Sequence, residues 1–329
     1  MLQSVDSWVT DGDVSAVAVA VVTADGVTDL RTAGAAGERS LFALASVSKP
    51  LVALAALVAA EEHAIDLDQP VADVLEGYGA SGRAEITPRH LLSHASGLPE
   101  SVRGVSPLEV IPEYPTGTRR VYSNEGFHVL GELLTVATGI GYAEYVTEAV
   151  LEPLAADAFL PLPEAEYGRA LEVADPGLAA PGVPLFNSPA WRRRGSAAGG
   201  VFATVGGVAR IVQLVLQRGA PLLSAETVDD LARVQFAGIP GGIESFPRLH
   251  CPDWGLGLNI RGTGSPHWLG DAASPQTLSH FGASGTLIWI DPDAGRGLVC
   301  LANRGTYSGW MLRQGRWLDL TAKVADAPG

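Results

Sequence analysis

Residues 14–24, VSAVAVAVVTA, are apolar almost without a break and rich in β-branched side chains, with Asp and Gly on either side. That pattern predicts a buried strand, a turn at Ala24-Asp25-Gly26 and a second strand near 27–34. Residues 46–62 carry helical spacing, with Ser46 or Ser48 available as a cap and Pro50 tolerable only in a first turn. The stretch LVALAALVAAEE is apolar on nearly every face, so this helix is expected inside the protein. From 66 to about 250 helical periods alternate with Gly/Pro stops: IDLDQPVADVLEG, TPRHLLSHASG, SNEGFHVLGELLTVATG and GYAEYVTEAVLEPL. A looser stretch covers 157–198, and helix returns at 204–218 and 224–235. After 250 the pattern is strand-like at 255–262, 277–291 and 295–305, with Asp-Pro-Asp-Ala-Gly as a hairpin turn, before a final helix at 309–325. There is no internal repeat.

Strands at both ends thus bracket a helical middle. The expectation is an α/β (α+β) fold: one antiparallel sheet built from both chain ends and flanked by helices, with a mainly helical domain inserted between its halves. The parts are 1–65 plus 250–329 for the sheet and 66–249 for the helical domain, with the active site in the cleft between them.

A chain of 329 residues buries about 75% of its unfolded surface, so it needs neither metal nor disulfide to fold. Its two cysteines, Cys251 and Cys300, stand in no ligand spacing, which argues against a disulfide framework and a zinc site. A net charge of −14 disfavours nucleic acid and anionic membranes as partners. The one basic run, Arg192-Arg193-Arg194, reads as a solvated turn. The longest apolar run, Pro50 to Ala60, has 11 residues, short of the ~20 that span a bilayer. The opening MLQSVDSWVTDGD has no positive region followed by an apolar one, so a cytoplasmic location is expected.

Candidate chemistry begins with lysine. Only two of the 22 basic residues are lysines, Lys49 and Lys323. Arginine stays protonated, whereas a buried lysine can lose its proton and act as a base. Lys323 falls in the terminal helix; Lys49 falls in the first turn of the buried one, where a charge is costly unless partnered. Ser46 lies three residues earlier, on the same helical face, and a serine becomes a nucleophile when an adjacent base takes its proton. The N–H groups at such a helix start point at a developing oxyanion. The second constellation is Tyr122-Ser123-Asn124. A tyrosine near a lysine cation has its pKa lowered and can shuttle a proton, and Asn124 offers a donor and an acceptor. The plain alternative is a helix cap at Ser123 or Asn124. The third is His280-Phe281-Gly282-Ala283-Ser284-Gly285, where glycine in a strand marks either a bulge or an edge approached by a ligand backbone. The N–H just past Gly282 would be a second oxyanion donor.

In this order the three elements resemble the serine β-lactamase and penicillin-binding-protein superfamily. The nearest branch is class C-like, with family VIII esterases, D-Ala-D-Ala carboxypeptidases and D-aminopeptidases. FALASVSKPLVALAALVA resembles its nucleophile helix, ITPRHLLSHASGLPE its LL-x-H-x-SGL segment, and VYSNEGFHVLGELLTVATG its tyrosine motif. GSAAGGVFATVGGVARIVQLVLQ resembles a later family helix and HFGASGT the third motif. The resemblance implies Ser46 as acylated nucleophile, Lys49 and Tyr122 as the proton-transfer pair, and Asn124 on the substrate's carbonyl or amide side. It implies His280 where many members have lysine, and the N–H groups of Ser46 and Ala283 as oxyanion hole. The third motif is H-F-G rather than K-T-G, and histidine is a weaker, pH-dependent partner for a substrate carboxylate.

The expected activity is therefore a serine hydrolase acting on small esters or amides, with β-lactam turnover weak. No cofactor or metal is implied, the partner is a small ester, amide or β-lactam-like substrate, and nothing in the sequence speaks to oligomeric state. Two alternatives share the same residues: a non-catalytic relative that binds a ligand in the cleft, and an acyl or peptidyl transferase. His90 and His94 have i, i+4 spacing, but Leu91 stands where H-E-x-x-H needs glutamate, and His94 is expected to bond backbone locally. Gly282-Ala283-Ser284-Gly285-Thr286 lacks the last glycine of a G-x-S-x-G elbow.

Overall fold

The computed structural model describes residues 2–174, 186–313 and 315–326. A short helix α1 (Val5–Thr10) precedes the hairpin β1 (Ala16–Thr23) and β2 (Gly26–Gly34). β3 (Phe42–Ala43) and a 3-10 turn at Ala45–Val47 lead into α2 (Ser48–Glu61). The middle holds α3 (Pro88–Leu92), β4 (Arg120–Val121), α4 (Asn124–Thr138), α5 (Tyr142–Val146), β5 (Ala158–Phe159), α6 (Pro189–Arg194) and β6 (Phe202–Ala203). α7 (Val205–Leu216), α8 (Ala225–Leu231) and β7 (Gly241–Gly242) complete it. β8 (Asn259–Ile260), β9 (Leu278–Gly282), β10 (Thr286–Asp291), β11 (Arg296–Ala302), α9 (Trp310–Arg313) and α10 (Arg316–Ala325) follow.

The main sheet has the order β2-β1-β11-β10-β9-β8 and every pair in it is antiparallel. The two chain ends therefore meet in its middle, Val19 lying opposite Cys300. Alternation along the strands sends successive side chains to opposite faces. Ala18, Ala20, Val22, Ile288, Ile290, Val299 and Leu301 join one core together with α2 and α7. Val17, Val19, Val21, Leu287, Trp289 and Leu298 join a second core with Trp8 of α1 and Trp317, Leu320 and Val324 of α10. α2 is buried from Ser48 to Ala59, as its all-round apolarity predicts.

Several expectations change in detail. The stretch 277–291 is two strands, β9 and β10, joined by a tight turn, and only Asn259 and Ile260 of 255–262 pair as strand. α7 lies against the sheet itself, although it arises from the helical middle of the chain. The arginine run ends α6 instead of forming a turn; Arg193 and Arg194 are exposed as expected, but Arg192 is buried with its guanidinium 4.9 Å from the Tyr167 ring centre. Both cysteines are free and buried. Among the described residues no helix is long and apolar enough to cross a membrane. Part of the loose stretch 157–198 lies outside the described residues.

Candidate active site

Ser46 sits in the 3-10 turn before α2, directly after Ala45, whose φ of +48° is left-handed. Neither serine caps the helix. The N-cap position is Val47 without a side-chain bond, and Ser48 Oγ accepts the Val201 N–H at 3.0 Å. The Ser46 hydroxyl is thus left for other partners. The segment before it is stitched to the β9–β10 turn: Ser284 Oγ donates to Ala43 O at 2.5 Å and Thr286 Oγ1 to Leu44 O at 2.8 Å. Gly282 makes this approach fit, because a Cβ there would stand 2.2 Å from Leu44 O and 2.3 Å from Thr286 Oγ1. The close neighbour is the protein's own backbone; β8 covers only Leu278 and Ser279, so His280–Gly282 is paired on the β10 side alone and keeps the edge character expected of it, while the regular pairing of Gly282 with Thr286 speaks against a bulge. The stitching leaves the N–H groups of Ser46 and Ala283 without an acceptor among the described residues.

Lys49 is fully buried. Its Nζ reaches Asn124 Oδ1 at 2.7 Å, Ala198 O at 2.8 Å and Ser46 Oγ at 3.3 Å. It lies 4.7 Å from the Tyr122 ring centre and 5.6 Å from that of Phe127. Burial pulls its pKa down to about 7, the Glu100 carboxylate acting in the other direction. An ammonium donates along all three directions. A neutral amine donates to the two carbonyl-type oxygens and can turn its lone pair to the Ser46 O–H.

Tyr122 reverses the sequence expectation. Burial raises its pKa, against a smaller lowering by the Ser46 hydroxyl, so it stays a phenol. Its hydroxyl is buried and makes no hydrogen bond of ordinary geometry among the described residues. Ser123 caps α4, accepting the Gly126 N–H at 2.9 Å, and Tyr122 and Asn124 on either side of it line the cavity, so the cap does not compete with the site reading. Asn124 uses its amide on Ser101 Oγ at 2.8 Å and its oxygen on Lys49.

Burial lowers the His280 pKa to about 3, a charged Lys49 adding to the effect and the bond to the Phe281 carbonyl opposing it, which favours the neutral ring over a cation facing the cavity. Nδ1 faces Phe281 O at 2.9 Å, and Nε2 is buried without a partner among the described residues. His94 lies beyond α3 with φ +59° and accepts the Ser123 N–H at 3.0 Å, a backbone bond across 29 positions rather than a local one. Its ring packs 4.5 Å from those of Tyr122 and Trp254. His90 instead stacks on Phe236, so the two histidines do not converge. No group of three metal-ligating side chains occurs among the described residues.

Sequence reasoning missed three supports. Ser284 and Thr286 have no motif beyond their position. Arg120 is buried and donates to the carbonyls of Ser93, Gln235 and Pro252, clamping the segments around Tyr122. Its only signal is a charge beside the tyrosine motif.

Ser46, Tyr122, Asn124, His280 and Ala283 line one cavity of about 630 Å3, with Lys49 and Gly282 behind its wall. The loops at 100–107 and 186–199 form much of the rim. Trp191, Trp254 and Trp268 all face this space, with Phe186, Phe246 and Phe281, so its walls are largely apolar. A hydroxyl, a neutralisable amine, a phenol and two free N–H groups at the foot of an apolar cleft suit acyl chemistry.

The fold is similar to a β-lactamase from Mycobacterium bovis, 34% identical with a TM-score of 0.70, over 97% of this chain and 96% of that one. In sequence the chain is similar to N-acetylmuramyl-L-alanine amidase of Bacillus subtilis (strain 168), 25% identical over 316 residues, covering 81% of this chain and 68% of the relative. It is also similar to a putative D-alanyl-D-alanine carboxypeptidase of Escherichia coli O157:H7, 27% identical over 287 residues, covering 72% of this chain and 62% of the relative. Of two further curated relatives the chain spans 39% and 47% of the length. The family model described as Beta-lactamase matches residues 5–320, and on that match across nearly its whole length the chain belongs to the β-lactamase family.

Proposed function

We propose that the protein is a serine hydrolase that cleaves small esters or amides through an acyl-enzyme on Ser46. The cleft lies between the sheet-bearing part, 1–65 plus 250–329, and the helical part, 66–249. Neutral Lys49 takes the Ser46 proton as Oγ attacks the carbonyl carbon. The N–H groups of Ser46 and Ala283 receive the oxyanion. Tyr122 protonates the leaving alcohol or amine and is reprotonated by the Lys49 ammonium. Water then attacks the acyl group, giving its proton to the same pair, and Ser46 is restored. Asn124 holds Lys49 and borders the substrate's amide side. Gly282 lets Ala283 come close to Ser46.

The observation that carries this reading is the buried amine fixed between Asn124 Oδ1 and Ala198 O with its third direction on Ser46 Oγ. Two relatives are named for amidase and carboxypeptidase activity, which fits acyl transfer to water. A neutral His280 favours uncharged acyl groups at that wall over substrates that anchor a carboxylate there. The test is p-nitrophenyl ester and D-amino-acid amide turnover, with peptide mapping of a fluorophosphonate adduct. Label on the tryptic peptide 40–83, which holds Ser46, and at least a ~1000-fold loss in Ser46→Ala are expected. Wild-type turnover by Ser46→Ala, or no label on that peptide, ends the proposal.

A further inference from the structure

A second serine in the same cavity has a base of its own. Ser196 Oγ lies 3.0 Å from His128 Nε2, and His128 Nδ1 lies 3.3 Å from Glu125 Oε2. All three side chains line the cavity that holds Ser46. Glu125 is buried and its Oε1 accepts the Val102 N–H at 2.8 Å. Burial works against its charge, but the bonds from His128 and Val102 outweigh it and hold the carboxyl below its usual range. An ionised Glu125 only accepts, so Nδ1 of His128 carries a proton, and in the neutral ring Nε2 is then the lone-pair nitrogen facing the Ser196 O–H. That is the tautomer a serine–histidine–acid relay requires.

The backbone around Ser196 supports the same use. Gly195 is left-handed at φ +55°, and Ser196 O accepts N–H groups from Gly199 at 3.1 Å and Gly200 at 2.7 Å. A Cβ on Gly200 would fall 2.3 Å from Ser196 N, so the turn tolerates only glycine there. The Ala198 N–H points at Ser196 Oγ at 3.3 Å, where it stabilises negative charge on that oxygen.

We propose that Ser196, His128 and Glu125 form a second nucleophilic centre that accepts acyl groups from small esters independently of Lys49. Ser196 Oγ forms the bond to the carbonyl carbon while its proton passes to His128 Nε2. Collapse of the tetrahedral adduct breaks the ester C–O bond, and the alcohol leaves with that proton. Water then attacks acyl-Ser196, gives a proton to His128 Nε2, and Ser196 recovers it as the carboxylic acid departs.

The test uses an alkyl fluorophosphonate, whose P–F bond breaks as the serine oxygen bonds to phosphorus and fluoride leaves. Trypsin separates the sites, because peptide 195–210 has Ser196 as its sole serine and Ser46 falls on 40–83. The wild-type protein is expected to carry label on both peptides. Ser46→Ala should keep label on 195–210 and a residual p-nitrophenyl acetate turnover that Ser46→Ala/Ser196→Ala lacks. Adding His128→Ala should slow labelling of 195–210 by at least ~100-fold. Wild-type protein reads both peptides even where a variant fails to fold. Label on 40–83 alone overturns this centre and leaves the Ser46 reading standing; label on 195–210 alone does the reverse. An unchanged labelling rate of 195–210 without His128 also overturns it.

Discussion

Replacing Lys49 by methionine keeps the length of the side chain and removes the ionisable group. In the folded protein this amine titrates at about 7, against an ordinary value of 10.5. The unfolded chain therefore binds more protons than the native one between those two pH values, and wild-type stability rises with pH across that window. At about 1.4 kcal/mol per pH unit the full effect approaches 5 kcal/mol, an upper bound because water entering the cleft softens burial. Lys49→Met has no such dependence. Losing the contacts to Asn124 and Ala198 shifts the variant by an amount that does not vary with pH. The difference between the two proteins isolates Lys49, since every other titrating group is shared. Urea unfolding at fixed ionic strength from pH 6 to 10 should show Lys49→Met at its relative best near pH 6, with the wild type gaining on it steadily above pH 7. Parallel profiles would refute the reasoning, because the amine would then be a fully charged ammonium at neutrality, unable to take a proton from Ser46.

Tyr122→Phe removes a hydroxyl that makes no hydrogen bond of ordinary geometry among the described residues, so stability should change by less than ~1 kcal/mol while kcat falls about 100- to 10,000-fold; a thermal melt beside ester kinetics separates the two. Gly282→Ala forces Leu44 O and Thr286 Oγ1 away from the new Cβ, which should cost about 1–3 kcal/mol and at least ~10-fold in kcat, read by melting and steady-state rates. His280 is neutral in the fold down to about pH 3 but charges near 6.5 when unfolded, so its contribution is present above 6.5 and lost as pH falls at about 1.4 kcal/mol per unit. Unfolding between pH 7 and 4 should accordingly be less pH-dependent in His280→Phe, and an unchanged slope would contradict the burial argument.

How far the fold could be read in advance depended on the kind of signal each element carries. α2 is apolar around its whole circumference, and no solvated position exists for such a helix. β1 and β11 are β-branched runs bounded by turn residues, and their pairing across the chain ends follows from both needing partners. The division of 277–291 was hidden because Ala283-Ser284-Gly285 interrupts an otherwise apolar run with residues that strands also tolerate. That Ser46, Lys49, Tyr122 and Asn124 come together could be anticipated, chiefly because a rare lysine falls in an apolar helix one turn past a serine; Tyr-Ser-Asn carried little signal by itself. Ser284 and Thr286 could not be anticipated, since a hydroxyl's meaning rests on which carbonyl it meets, and Ala43 and Leu44 lie more than 240 positions away. The Arg192 side chain was misread because charge runs signal solvent only when no aromatic face or carbonyl awaits them.

Tyr122 shows why the electrostatics could not follow from proximity alone. A cation beside a phenol lowers its pKa, and that rule assumed a charged Lys49. Burial acts on both groups at once and favours the neutral form of each, so the amine loses affinity for its proton while the phenol holds on. Once Lys49 is neutral there is no cation left to depress Tyr122. One physical cause therefore leaves a neutral amine and a neutral phenol side by side, the pair that the proposed mechanism uses as base and acid. The same cause neutralises His280 and His94 on the adjoining walls, which removes cations that would otherwise push Lys49 lower still. The apolar surroundings of α2 and Phe127 thus favour the neutral form of Lys49, the form in which the proposed proton transfer from Ser46 could take place.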